Sequence, residues 1–152
     1  MSINNHHTIL LVEDNPEDYE ATKRALRKAG LANPLFRCED GDQALDYLFR
    51  RGRYSDPATS PRPAIMLLDL NMPGTDGYEV LRQIKLDEDL KAIPVIVLTT
   101  SSDERDIEVC YRSGANSFVT KPVELDGLFK AIQRLKDFWF ELAVYPKTTE
   151  TT

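Results

Sequence analysis

Short runs of almost wholly apolar residues, each closing on a charged or hydroxyl side chain, constrain this chain's fold more than any other feature. They are Thr8-Ile-Leu-Leu-Val12 followed by Glu13-Asp14, Ala64-Ile-Met-Leu-Leu-Asp-Leu70, Ile93-Pro-Val-Ile-Val-Leu-Thr99 and Ser117-Phe-Val-Thr-Lys121, with Leu35 to Cys38 as a fifth. Runs this short, without polar alternation, read as strands buried on both faces, the pattern of a parallel sheet covered by helices. Between them the spacing turns helical. Tyr19, Thr22, Ala25, Leu26 and Ala29 follow Asn15-Pro16 and stop at Gly30; Ala44, Leu45 and Leu48 lie in a helix over Gln43 to Arg50; Val80, Leu81 and Ile84 mark a third. A mostly polar helix follows from Asp103 to Arg112, and Leu125, Leu128, Phe129, Ile132, Leu135 and Trp139 carry a last one to about Leu142. Arg51 to Pro63, with Gly52, Pro57, Pro61 and Pro63, reads as a surface loop.

Five β-α units in series predict an α/β fold, a (βα)5 doubly wound five-stranded parallel sheet with right-handed crossovers. The 152 residues leave room for one such domain. No apolar run approaches the ~18 residues of a spanning helix, so no membrane partner is expected. Net charge of −6 argues against direct nucleic-acid binding. The two histidines, His6 and His7, precede the first strand, which removes a Ser-His-Asp triad and a Cys/His zinc cage. Cys38 and Cys110 form no CxxC and read as small buried hydrophobes; with no leader-like segment at the start, a cytoplasmic protein is expected.

In an open α/β sheet the ligand sits at the carboxyl ends of the strands, and Glu13, Asp14, Asp69, Thr99 and Lys121 all fall there. An Asp in the most apolar strand is costly to bury without partners. Three converging carboxylates repel one another and call for a hard divalent cation. Mg2+ prefers oxygen ligands and keeps several waters, which fits Asp14, Asp69 and the backbone carbonyl of Asn71, with Glu13 acting through water. Lys121 and Thr99 reach the same edge with a positive charge and a hydroxyl, enough to neutralise a phosphoryl group placed on Asp69. Asp69 is then an in-line nucleophile.

Glu13-Asp14 after the first strand, Asp69 with Asn71-Met-Pro-Gly after the third, Thr99-Thr100 after the fourth and Lys121-Pro122 after the fifth make a set. In that order, each at a strand end, it resembles the CheY-like receiver domain of two-component response regulators over about residues 8 to 140. The resemblance implies the flavodoxin-like strand order 2-1-3-4-5. It implies Mg2+-dependent phosphoryl transfer from a phosphohistidine of a sensor histidine kinase to Asp69, then slow self-catalysed hydrolysis, without an enzyme's turnover on a substrate of its own. Asp69 corresponds to the phosphoacceptor, Glu13, Asp14 and the Asn71 carbonyl to the metal set, Thr99 and Lys121 to the phosphoryl contacts, and Phe118 to the switch aromatic. Family logic moves Thr99 toward the phosphoryl group and Phe118 inward, reshaping the face of helix four, strand five and helix five. Lys121-Pro122 is expected to be a cis peptide on the same grounds.

Three rival readings find less support in the residues. A haloacid dehalogenase-like phosphatase needs a second Asp two residues after its nucleophile, where this chain has Asn71. A flavin- or dinucleotide-binding module needs a Gly-x-Gly-x-x-Gly turn after strand one, which carries acids instead. A phosphorylation-independent interaction module needs none of Asp14, Asp69, Thr99 and Lys121.

The expected organisation is a tail over 1–7, a receiver over 8–140 and, over 141–152, an extension of the last helix with a polar end. That reads as a stand-alone receiver whose output is a partner or its own oligomeric state. The 51–63 insertion and the aromatic segment Phe138-Trp-Phe-Glu-Leu-Ala-Val-Tyr-Pro146 are similar to response regulators paired with bacterial and cyanobacterial phytochromes. A phytochrome kinase is therefore the expected partner, a histidine phosphotransfer protein a further one, and a homodimer through the helix 4/strand 5/helix 5 face the expected assembly.

Overall fold

Each apolar run becomes a strand in the computed structural model, which describes residues 7–134 apart from 29, 32, 73, 101–103, 122–123 and 132. Strands β1 (Ile9–Val12), β2 (Leu35–Cys38), β3 (Ile65–Asp69), β4 (Val95–Thr99) and β5 (Ser117–Thr120) alternate with helices α1 (Pro16–Lys28), α2 (Gly41–Leu48), α3 (Gly77–Leu86) and α4 (Glu104–Arg112). Helical residues 125–131 and 133–134 follow β5 as α5. The strands form one sheet in the order β2-β1-β3-β4-β5, all pairs parallel, as expected.

The absence of polar alternation has its physical reason in the two cores. Successive side chains of a strand point to opposite faces, and here both faces are covered. Leu10, Val12, Met66, Leu68, Val95 and Val97 join Leu45, Leu48, Val80, Leu81 and Ile84 of α2 and α3. Ile9, Leu11, Ile65, Leu67, Ile96 and Leu98 join Leu26 of α1 and Leu128 of α5. Each such buried side chain contributes roughly 1.5–3 kcal/mol. Cys38 and Cys110 are buried free thiols; burial pushes the Cys38 thiol up to about 12, which leaves it unreactive.

Helix α2 starts and ends two residues earlier than the spacing predicts. The Asp40 side chain accepts from the Gln43 amide at 2.8 Å and the Gln43 side chain accepts from the Glu39 amide at 2.9 Å, two side-chain bonds that start the helix at Gly41. Past Leu48, Arg50 turns to φ 54°, which ends it. The 51–63 loop is tied down. It contains a 3-10 turn over Gly52–Tyr54, the Tyr47 hydroxyl donates to the Pro61 carbonyl at 2.8 Å, Arg62 Nη1 donates to the Leu48 carbonyl at 3.0 Å, and the Tyr47 and Tyr54 rings lie 5.3 Å apart. Among the described residues no helix is long and apolar enough to cross a membrane. His6, Ile132, Leu135, Phe138, Trp139 and the extension over 141–152 lie outside the described residues.

Candidate acidic site at the carboxyl edge of the sheet

Strand register assembles the site. Val12 pairs with Leu68, so Glu13 leaves β1 level with Asp69 at the end of β3; Asp69 pairs with Leu98 and Thr99 with Thr120, one residue short of Lys121. The Lys121 amide donates to the Thr99 carbonyl at 2.7 Å. Gly77, the first residue of α3, lets that helix approach the end of β3, since a Cβ there would stand 2.5 Å from the Asp69 carbonyl oxygen.

Glu13 and Asp69 are wholly buried and Thr99 nearly so, whereas Asp14 is half-exposed. One carboxylate oxygen from each of Glu13, Asp14 and Asp69 lies within 4.8 Å of the other two. Lys121 Nζ sits between them, 2.8 Å from Glu13 Oε1, 3.0 Å from Glu13 Oε2 and 3.1 Å from Asp69 Oδ2. Its remaining contact, 3.1 Å to Asp18 Oδ2, was missed by the sequence reading. Asp18 stands one helical turn after Asp14 in the first turn of α1, and that i,i+4 spacing was the available signal. The first turn is fixed by Asn15, whose side-chain oxygen accepts from the Glu17 and Asp18 amides at 2.8 and 3.0 Å.

One ammonium meets three carboxylates, with Asp14 beside them as a fourth, and the pocket's electrostatics follow from that imbalance. Burial pushes Glu13 up from 4.5 to about 7, against the pull of Lys121 and with the push of Asp69. Burial raises Asp69 too, offset by the Asn71 amide, which donates to Asp69 Oδ1 at 3.0 Å, and by Lys121. Burial works against the Lys121 charge, but Glu13, Asp69 and Asp18 outweigh it and hold the ammonium above its ordinary range. Glu13 Oε1 and Asp69 Oδ2 are buried without a hydrogen bond and meet Lys121 only as ion-pair contacts. Two under-satisfied buried carboxylate oxygens beside a third carboxylate, in a group that no Cys or His joins among the described residues, form a donor set suited to a hard divalent cation. Glu13, wholly buried like Asp69, is the chief partner of the lysine.

Thr99 and Phe118 stand on neighbouring strands. Phe118 is half-buried, packs on the α2/α3 core and meets the ring of Tyr111 of α4 edge-on at 5.9 Å and 80°. Asn71 Nδ2 donates to Thr100 Oγ1 at 3.1 Å, joining the turns after β3 and β4 at the rim. Pro122, and with it the expected cis peptide, lies outside the described residues.

Three clustered carboxylates, the buried Asp69 among them, and a lysine at the carboxyl edge of a 2-1-3-4-5 sheet make the arrangement of a receiver. A family model for the response regulator receiver domain matches residues 9–133, and the chain belongs to that family as a two-component response regulator. Response regulator Rcp1 of Synechocystis sp. is 42% identical to it over 138 residues, 91% of this chain and 92% of that protein. Among solved structures, the bacteriophytochrome response regulator RtBRR superposes with a TM-score of 0.78 at 42% identity, covering 86% of this chain and 78% of that one. The Mn(2+)-bound form of response regulator Rcp1 superposes with a TM-score of 0.73 at 42% identity, covering 88% and 94%.

Proposed function

We propose that Asp69 is the phosphoacceptor of a phosphorelay and that Lys121 and Thr99 are its phosphoryl contacts. The observation that carries this reading is a wholly buried aspartate with one oxygen 3.1 Å from an ammonium, inside a cluster of carboxylates that exceeds that ammonium in charge. Glu13, Asp14, Asp69 and the Asn71 carbonyl would hold Mg2+, which when bound supplies positive charge to the phosphoryl oxygens. An Asp69 oxygen attacks the phosphorus of a phosphohistidine on a partner; an O–P bond forms, the N–P bond breaks, and the imidazole leaves. The Lys121 ammonium passes from Asp69 Oδ2 to a phosphoryl oxygen, and the Thr99 hydroxyl donates to another. Slow hydrolysis of the acyl phosphate resets the site, so the chain accepts a phosphoryl group rather than turning over a substrate of its own.

The output is a change on the face of α4, β5 and α5, driven by Thr99 and Phe118. Tyr111 of α4, packed against Phe118 of β5, and Leu125 and Phe129 of α5 expose large apolar side chains, which supports use of this face in a homodimer or a partner contact. Two solved relatives named for bacteriophytochromes favour a phytochrome as the histidine kinase, with a histidine phosphotransfer protein as a second donor. Two free buried cysteines agree with a reducing cytoplasm. Incubation with acetyl phosphate and Mg2+ should add one phosphate by intact mass spectrometry and none to Asp69→Asn; equal uptake by the variant refutes the assignment.

A further inference from the structure

Arg37 is the one charged residue of β2, and its side chain reaches away from its own strand into the turn that carries the acidic pair. Its register beside Leu11 places it on the face of the sheet that α1 covers, where the guanidinium carbon lies 4.8 Å from the centroid of the Tyr19 ring of α1. From that platform Nε donates to the Glu13 carbonyl at 3.1 Å and Nη2 to the Asp14 carbonyl at 3.3 Å. The Glu13 amide is held as well, donating to the Cys38 carbonyl at 2.9 Å. Both acidic residues are thus held from β2 through their own backbone groups, Glu13 by the Cys38 carbonyl and the Arg37 side chain and Asp14 by the Arg37 side chain, while their carboxylates are left for the pocket.

We propose that Arg37 is a positioning residue for the divalent-cation site, fixing through its two-pronged grip on the Glu13 and Asp14 carbonyls the backbone from which those carboxylates meet Asp69. The inference rests on the reading of Glu13, Asp14 and Asp69 as cation ligands. Carboxylates brought together without a cation repel, and an unrestrained β1–α1 turn relieves that repulsion by moving outward. A turn already fixed leaves the cation no ordering cost to offset. The grip depends on shape, because a guanidinium carries donors in a rigid fork whereas an ammonium is a point charge. Charge alone has the opposite sign: a nearby positive group disfavours cation binding, so a purely electrostatic Arg37 would give tighter binding when removed.

The test compares the whole chain as wild type, Arg37→Met and Arg37→Lys, by calorimetric titration with Mg2+ and by amide hydrogen exchange without metal. Outer residues that orient metal ligands are typically worth 10–100-fold in affinity. The expected result is Mg2+ binding about tenfold weaker in both variants, with faster metal-free exchange centred on residues 13–18. Affinity unchanged or raised in a folded Arg37→Met protein overturns the proposal. Should Arg37→Met fail to fold, Arg37→Lys decides: wild-type affinity there overturns it, and a tenfold loss supports it. A wild type that takes up no Mg2+ removes the underlying reading and the inference together, whereas a wild type that binds while both variants match it removes the inference alone.

Discussion

Metal-free protein should lose stability as pH rises through neutrality, and Glu13→Gln should remove most of that loss. Glu13 is wholly buried and its carboxyl is pushed from 4.5 to about 7. A carboxyl raised on folding binds its proton more tightly in the native state, so its favourable contribution is complete below 4.5 and disappears as pH passes 7. At ~1.4 kcal/mol per pH unit, that shift corresponds to about 3 kcal/mol between pH 4.5 and 8. Asp69, raised chiefly by the same burial, acts in the same direction. Lys121, held above its ordinary range, stays charged throughout and adds no slope. Urea unfolding followed by circular dichroism in EDTA at pH 5, 6, 7 and 8 measures the effect. Mg2+ competes with the proton, so Mg2+ should offset most of the loss and flatten the profile; at 100 times its dissociation constant it adds about 2.7 kcal/mol to the native state. A flat metal-free profile in the wild type, or an unchanged slope in Glu13→Gln, would refute the reasoning.

Lys121→Met leaves Glu13 and Asp69 buried without their cation and should cost about 3–5 kcal/mol at pH 8 in EDTA, with part recovered on adding Mg2+, as read by the same urea curves. Gly77→Ala forces a Cβ to within 2.5 Å of the Asp69 carbonyl; it should lower the melting temperature and slow phosphate uptake from acetyl phosphate together, and a variant that melts and reacts like wild type argues against that close approach. Tyr47→Phe removes the hydrogen bond to the Pro61 carbonyl and should cost about 1 kcal/mol, with faster amide exchange in 51–63 and unaltered Mg2+ affinity.

The sheet was legible because burial on both faces is written directly into the composition of β1, β3 and β4, whose every residue is buried. The carboxylates Glu13, Asp14 and Asp69 and the lysine Lys121 were legible because strand ends in such a sheet share one edge. Periodicity carries no information about side-chain caps, and Asp40 with Gln43 moved α2 where apolar spacing alone could not. Asp18 went unseen because an acidic residue in a helix's first turn has an ordinary explanation in the helix dipole. Only the conformation of the Lys121 side chain shows that Asp18 also answers an ammonium. Arg37 was invisible for a similar reason: its partners are backbone carbonyls, which every residue possesses.

The staple between α2 and the 51–63 segment has a use in protein engineering. Tyr47–Pro61 and Arg62–Leu48 hold the segment's far end against the helix it leaves, so the entropy of closing that loop is already absorbed by the fold. The intervening residues 55–59 are exposed. They connect α2 to the start of β3, at the amino edge of the sheet and so across the molecule from Asp69. Exposed loop tips with paired ends tolerate inserted sequence. A fluorescent reporter grafted between Asp56 and Thr59 would be tied to the fold by the Tyr47 and Arg62 contacts at the segment's end, away from the carboxyl edge.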